Sequence, residues 1–281
     1  MSREIDRLVQ PAAGKKMRLI VASCSRTGTL GLHKALQMLG YTPYHMVDVL
    51  FRGREPHIKV MAEGVAAHHN PFSGIRPYET ADLDKWIGNC DCLMEIPSYI
   101  GIQSLAAYME DPEVKFLLTE RNPEKWVRSV NNTIGEANKQ AYIFPINILK
   151  HFDSELGHFF RLAQMMYWSY SGGTNPDDAN NEAVLRKNYV EYIRSVKEVL
   201  PKERLLVVKL EEGLGWDQIC PFLDVPIPEE TYPRGNEPDK FHMLVADYLE
   251  PRVKVAMVKF GVFVTATVGI AGYLGWKYHL R

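Results

Sequence analysis

The chain has little net charge and few cysteines. Its 33 lysines and arginines nearly balance 34 aspartates and glutamates, which leaves a formal net charge of −1. Without a strong positive field over the whole molecule, we expect no nucleic-acid partner. The cysteine spacing fits no common zinc site, so we expect reduced thiols and no metal. The four cysteines are Cys24, Cys90, Cys92 and Cys220.

Several familiar sequence signals are also missing. The N-terminal leader, residues 1–16, is polar and mixed in charge, and it lacks the apolar core of a secretory signal. No G-x-x-x-x-G-K-[ST] pattern is present, which argues against a standard ATP or GTP site with its lysine and magnesium-binding hydroxyl. No G-x-G-x-x-G pattern follows the first strand, which argues against a dinucleotide oxidoreductase.

What the chain does contain is an alternation of strands and helices. Apolar runs predict strands at 17–23, 90–97, 114–120 and 204–210, with a short one near 42–50. Amphipathic stretches predict helices between them, among others at 29–39, 182–200 and 216–223. This order predicts an α/β fold of three layers, with a central parallel sheet between helices. We place this domain at residues 17–250 and expect residues 224–241 to be extended.

A long stretch without charge lies near the C-terminus. Residues 260–276 would span about 25 Å as a helix, at the short end of what crosses a bilayer. Tyr273 and Trp276 lie where an interfacial aromatic belt would be, and Lys277 follows them. We expect a single-pass C-terminal membrane anchor at residues 256–276, with the domain in the cytosol. A buried helix of the globular domain is the alternative.

The first strand leads through a short polar loop, SRTGTL (residues 25–30), into a helix. The first N–H groups of a helix lack partners inside it and carry partial positive charge, so such a junction is suited to bind an anion. Arg26 adds a full positive charge, and Gly28 lets the backbone approach a ligand closely. An ordinary turn with capping hydroxyls is the alternative.

A second basic segment, RNPEKWVRS (residues 121–129), follows the strand at 114–120. Arg121 lies at the carboxyl edge of the predicted sheet, where open α/β sheets bind ligands. Ser129 lies about two turns into the next helix, so both side chains can face one phosphate group. Taken alone, the segment is also typical of a solvated helix start, but its pairing with the first loop favours an anion site.

In this order the two segments resemble those of the sulfotransferases that use 3′-phosphoadenosine 5′-phosphosulfate (PAPS). In that superfamily a loop of the type P-K-S-G-T-T binds the 5′-phosphosulfate, and an Arg followed eight residues later by a Ser binds the 3′-phosphate. The chain is most similar to a branch that is common in fungi and often mislabelled as NAD-dependent epimerase/dehydratase. The motifs of that branch match SRTGTLGL, YHM, RNPEKWVRSV and FLDVPIP, and the resemblance covers residues 17–242.

The resemblance implies a P-loop type sulfotransferase fold, PAPS as co-substrate and a set of donor-binding residues. A late R-K-G loop of the family is matched only by PRGN, which makes its two residues the weakest members of the set. The implied PAPS-binding residues are Ser25, Arg26, Thr27, Gly28, Thr29, Leu30, Arg121, Ser129, Arg234 and Gly235.

The resemblance also suggests a catalytic base. Cytosolic members carry a His in a T-H-L-P segment, where this chain has MEIP and therefore Glu95. Because glutamate is the base elsewhere in the superfamily, we take Glu95 as the base and expect burial to raise its pKa. Arg26 would stabilise the leaving phosphate. His45 and His33 are the alternative bases, and Glu95 as a simple ion-pair partner of Arg26 is a further alternative.

Two departures from the family pattern leave other functions open. Arg26 replaces the loop lysine, and Leu93 stands where cytosolic members have a second lysine. The chain is therefore a sulfotransferase acting on a hydroxyl or amine of a small, lipophilic acceptor, a non-catalytic membrane-anchored adaptor, or a P-loop kinase or NTP hydrolase. The aromatic-rich residues 142–170 line an acceptor pocket or form packed core. The sequence leaves open whether the chain is a monomer or a homodimer.

Overall fold

The computed structural model describes residues 2–12, 14–233 and 238–279, and of residues 238–240 only the backbone. The described residues contain a five-stranded parallel sheet in the order β2-β3-β1-β4-β5. Each apolar run predicted as a strand contributes one, shorter than the run itself. The strands are β1 (Leu19–Val21), β2 (Pro43–Tyr44), β3 (Cys92–Met94), β4 (Lys115–Glu120) and β5 (Leu205–Lys209).

Helices connect and cover the strands. The longer ones are α1 (Thr29–Met38), α2 (Arg54–His69), α3 (Thr80–Ile87), α4 (Pro123–Val130), α5 (Ser154–Ser171), α6 (Asn181–Val199), α7 (Trp216–Leu223) and α8 (Pro238–His279). Shorter helical pieces include Met46–Asp48, Val49–Gly53, Pro97–Ile100, Ile102–Leu105, Ala106–Glu110, Asn131–Gly135, Glu136–Gln140 and Ile146–Leu149. The predicted α/β architecture is confirmed.

The two faces of the sheet carry different apolar layers because successive strand side chains point to opposite sides. Leu19 and Val21 of β1 belong to one buried cluster together with residues of α1 and α7. Ile20, between them, belongs to a larger cluster with residues of α2, α4, α5 and α6. Because β3, β1 and β4 are adjacent and parallel, their carboxyl ends lie at the same edge of the sheet. The predicted site residues that follow these strands meet at this edge.

The N-terminal leader packs on the domain. Residues 5–7 form a helical turn, and Ile5 is fully buried in the larger core cluster. Arg3 pairs with Asp82 at 2.6 Å, and the backbone N–H of Glu4 donates to Glu63 at 2.6 Å. The leader is thus attached to the domain through one apolar side chain and two acidic partners, of which Asp82 is buried.

The C-terminal segment differs from the expectation at its start. Residues 224–241 were expected to be extended, but α8 begins at Pro238 and continues to His279. Its first half packs on the domain, where Tyr248, Leu249 and Ala256 are buried. Beyond Phe260 the large apolar side chains are exposed, including Val262 and Trp276. The helix is long and apolar enough to cross a membrane by length and composition.

Candidate functional site

The loop after β1 has a backbone that presents a helix N-terminus to a ligand. Arg26 and Gly28 both adopt positive φ, at 70° and 95°, and Gly28 caps α1. A left-handed conformation is favourable for glycine but strained for arginine, and such strain concentrates at functional sites. These two residues turn the chain between β1 and α1, so that α1 begins at the carboxyl edge of the sheet.

Hydrogen bonds within the loop and from β4, α4 and α5 hold this loop in shape. The Thr27 hydroxyl donates to the carbonyl of Cys24 at 2.7 Å and bonds the Thr119 hydroxyl of β4 at 2.8 Å. The indole N–H of Trp126 donates to the carbonyl of Ser25 at 2.9 Å. The backbone N–H of Ser25 donates to the hydroxyl of Tyr170 at 3.1 Å. The Thr27 hydroxyl therefore supports the loop, and its backbone N–H remains the group suited to an anion.

The two predicted anion-binding segments meet at Arg26. Its Nε donates to the hydroxyl of Ser129 at 3.2 Å, and Nη1 of Arg121 donates to its carbonyl oxygen at 3.0 Å. Burial lowers the pKa of both guanidinium groups from the ordinary value, but arginine stays charged in proteins. Two positive charges and a helix N-terminus thus share one end of the sheet, a combination that attracts an anion.

Glu95 lies on the opposite side of the same loop. It follows β3, has a positive φ of 63°, and is 1% exposed. Its Oε1 accepts hydrogen bonds from the hydroxyls of Ser25, at 3.2 Å, and Thr29. Its Oε2 lies 3.1 Å from Nε2 of His45, in a close polar contact that is not well aligned. A buried carboxylate in a strained backbone conformation is typical of a functional site.

The structure corrects the expected pKa of Glu95. Burial acts to raise this pKa, but the nearby His45 and the hydroxyls of Thr29 and Ser25 outweigh it, so that the pKa is lowered from its ordinary value. The carboxylate is therefore ionised at neutral pH. The ion pair with Arg26 that the sequence left open is replaced by these three partners, and Arg26 acts on Glu95 through its nearby charge.

The environment of His45 indicates its role. Its Nδ1 accepts the backbone N–H of Val47 at 3.1 Å, so the ring proton lies on Nε2, facing Glu95. In this tautomer Nε2 presents its N–H to the carboxylate and has no lone pair with which to take a proton. The other alternative, His33, is buried and pairs with Asp48 at 2.9 Å. Glu95 is thus better placed than either histidine to accept a proton.

An apolar cavity of about 90 Å³ lies beside Glu95 and His45. Leu30 of the loop lines it, while Phe159, Leu162 and Met166 line it from α5. Within the stretch 142–170, these three residues line a cavity, and whether it receives an acceptor stays a prediction. Tyr142 and Phe144 instead are exposed, and Tyr170 supports the loop. The cavity places apolar surface next to an ionised carboxylate.

Sequence reasoning missed several contributors and proposed two that cannot be located. Arg234 and Gly235 lie outside the described residues. Trp126 supports the loop through its hydrogen bond to Ser25. It lies in the same RNPEKWVRS segment as Arg121, and that shared segment was a signal in the sequence. Phe241 at the start of α8 was missed because its contact with the site spans more than two hundred residues of chain. Within the described residues, no group of three His, Cys, Asp or Glu side chains could hold a metal ion.

Comparison with known proteins identifies the family. Residues 18–241 match the sulfotransferase domain model. The chain belongs to the sulfotransferase family. It is 31% identical over 225 residues to Ava biosynthesis cluster protein M of Aspergillus versicolor. This alignment covers 77% of this chain and 80% of that protein. A solved sulfotransferase from Alicyclobacillus acidocaldarius aligns with 13% identity and a TM-score of 0.38, covering 87% of this chain and 95% of the other.

Membership in the sulfotransferase family confirms the resemblance drawn from the loop and the RNPEKWVRS segment. The matched region contains both segments and Glu95, so the loop, the two arginines and the carboxylate all belong to the sulfotransferase domain. The family supports a transferase of sulfuryl groups, and the apolar C-terminal helix is consistent with membrane association.

Proposed function

We propose that this protein transfers the sulfuryl group of PAPS to a hydroxyl or amine of a small, lipophilic acceptor. One observation carries the proposal. On one side the loop at residues 25–30 contacts Ser129 and Arg121 through Arg26, and on the other it contacts Glu95 through Ser25 and Thr29. Groups suited to an anionic donor and a group suited to an acceptor proton are thus adjacent.

The residues present fit the anionic ends of PAPS. The first-turn N–H groups of α1, contributed by Thr29 and Leu30, would bind the 5′-phosphosulfate together with the backbone of Thr27 and Gly28. Arg26 would stabilise negative charge on the departing phosphate oxygen, which is where charge develops during transfer. Arg121 and Ser129 would bind the 3′-phosphate.

Glu95 would act as the general base. When bound, PAPS supplies an activated sulfuryl group that the acceptor oxygen or nitrogen attacks, with 3′-phosphoadenosine 5′-phosphate (PAP) as leaving group. Glu95 takes the acceptor proton on a carboxylate oxygen, which must be ionised beforehand, as its lowered pKa ensures. Nε2 of His45 lies 3.1 Å from Oε2 of that carboxylate and faces it with its N–H. Thr29 and Ser25 occupy the other carboxylate oxygen.

The acceptor would enter the apolar cavity beside Glu95. Its lining by Leu162, Met166 and other apolar side chains favours a lipophilic molecule over a sugar or a peptide. The name of the relative from Aspergillus versicolor places that protein in a biosynthesis cluster, which supports a small-molecule acceptor for this chain as well. The exposed end of α8 would anchor the domain to a membrane as a single C-terminal span.

A transfer assay tests this proposal. PAPS labelled on its sulfur is incubated with the full chain and a panel of phenols, primary alcohols and aryl amines, and the labelled products are separated from PAPS by chromatography and counted. We expect label transfer to at least one acceptor class without added metal, and loss of transfer in Glu95→Gln. A protein that binds PAP but transfers label to no acceptor would support a non-catalytic adaptor instead.

A further inference from the structure

The cavity beside Glu95 is closed on one side by the helix that continues to the exposed apolar end of the chain. Phe241, Leu244 and Val245 of α8 line this cavity, opposite the side chains of α5. The ring of Phe241 also covers the guanidinium of Arg26, with 4.9 Å between Cζ and the ring centroid. We call residues 241–260 of α8 the roof segment.

The roof segment is attached to the domain by specific contacts. Tyr248 donates its hydroxyl to Oε1 of Glu155 at 2.9 Å, and Arg252 lies 3.3 Å from Oε2 of the same carboxylate. Farther along, Phe260 packs edge-on against Phe152, with 5.1 Å between the ring centroids. The segment is therefore a defined wall of the site rather than a passive linker.

The remainder of the same helix matches a bilayer in length. Residues 261–278 would span about 27 Å, close to the hydrocarbon thickness of about 30 Å. Val262, Val268 and Ile270 are each more than 60% exposed. An apolar surface of this kind is unfavourable in water and is typical of a site that contacts a membrane or a partner. Because α8 is one helix from Pro238 to His279, the wall of the cavity and the surface suited to lipid are parts of the same element.

The size of the cavity adds a constraint. Pockets that hold a complete small-molecule ligand are usually about 300 Å³ or more, whereas this one is about 90 Å³. It has room for the reacting end of an acceptor, so the rest of a larger molecule has to extend along one of its walls. Helix α8 is the wall that continues to the exposed apolar residues beyond Phe260.

Resting on the proposed function, we infer that the membrane helix forms part of the acceptor site and that the acceptor is a hydroxyl compound with an alkyl chain. Such a molecule partitions into the bilayer and reaches Glu95 along α8, with its chain against the roof segment. Phe241, Leu244 and Val245 are then the specificity-determining residues.

Photolabelling of the full chain in phosphatidylcholine vesicles tests this inference. The probe is 4-octylphenol with a diazirine at the end of its chain, applied in the presence of PAP, and labelled residues are mapped by mass spectrometry. We expect labelling within residues 241–260 and on the facing side of α5, reduced at least tenfold by excess unlabelled 4-octylphenol. Leu244→Trp, which fills the cavity, should reduce this labelling at least fivefold.

A matched variant and a second readout make the outcomes decisive. Val190→Trp adds the same side chain at an exposed position of α6 that does not line the cavity, and it should leave the labelling unchanged. Label that is confined to residues 261–279, absent, or equally reduced in both variants overturns the inference. PAP binding, measured by calorimetry on the same preparations, is expected to be unchanged in Leu244→Trp. Failure of PAP to bind the wild type would instead contradict the proposed function.

Discussion

Replacing Glu95 by glutamine removes the proposed base while retaining the shape of the side chain. The structure fixes how the amide can be accommodated. Because the hydroxyls of Ser25 and Thr29 both donate to Oε1, the amide oxygen has to occupy that position. The amide NH2 then faces Nε2 of His45, which also carries a proton, at the 3.1 Å that now separates the two groups.

Two magnitudes follow from this geometry. Loss of a general base typically lowers kcat by about 10²- to 10⁴-fold, or about 3–5 kcal/mol of transition-state stabilisation. Two buried donors that face each other leave one of them without an acceptor, at a cost of about 1–3 kcal/mol of folding free energy. Glu95→Gln should therefore be folded, moderately destabilised and nearly inactive, with PAP affinity close to that of the wild type.

The assay is single-turnover transfer from radiolabelled PAPS to the best acceptor of the panel, with urea unfolding and PAP calorimetry on the same samples. Asp91→Asn is a matched control, because Asp91 is a buried acid at the opposite end of β3. It should retain activity within a few-fold. A folded Glu95→Gln protein that binds PAP and keeps more than a tenth of the wild-type kcat would refute the role of Glu95 as base.

The pH dependence separates Glu95 from a histidine base. A base is active when deprotonated, and the pKa of Glu95 is lowered below its ordinary value, so the acid limb of kcat/KM should lie below about pH 4.5. A histidine base would place that limb in the range where histidines ordinarily titrate, about pH 6.5. A profile that is flat from pH 5.5 to 7.5 agrees with Glu95, whereas a limb centred near pH 6.5 contradicts it.

Three further predictions concern binding, stability and the membrane. Arg121→Ala should weaken PAP binding about 10- to 150-fold, because it removes charge-assisted hydrogen bonds worth about 1.5–3 kcal/mol. Arg128 is an exposed arginine on α4, and Arg128→Ala should change PAP binding less than threefold. Calorimetry measures both. Burial lowers the pKa of His57 to about 4, so the unfolded state takes up a proton first and the free energy of unfolding should fall as pH drops from about 6.5 towards 4. His57→Gln should make that dependence less steep without abolishing it, because burial also lowers the pKa of His69 to about 4. An unchanged slope in urea titrations would contradict the assignment. A chain that ends at Phe260 should bind PAP as the full chain does but fail to float with phosphatidylcholine vesicles, and flotation of both chains would contradict the proposed anchor.

The central fold followed from local patterns that the sequence states directly. Continuous apolar runs such as residues 114–120 are characteristic of strands covered on both faces, and the helix start at Pro123 is a strong local signal. The contact between the two anion-binding segments was also predictable, because both follow neighbouring parallel strands. Local pattern and three-dimensional neighbourhood coincide for these residues.

Other features depend on contacts between distant parts of the chain. The lowered pKa of Glu95 results from His45 and Thr29, which lie on different elements, so burial alone gave the wrong direction. The start of α8 was missed because PRGNEPDK contains residues that favour turns, while the packing of Tyr248 and Ala256 on the domain favours a helix. Sequence periodicity does not reveal which surface a helix will cover, and the roof segment is for that reason a structural finding.

Nucleotide binding shows whether the loop at residues 25–30 serves a PAPS-dependent transferase. The full chain is titrated by calorimetry with PAP and, separately, with ATP and magnesium. We predict that PAP binds at micromolar concentration or below without magnesium, and that ATP with magnesium binds at least tenfold more weakly. Tighter binding of magnesium-ATP than of PAP, or binding of neither by a folded protein, would contradict this account.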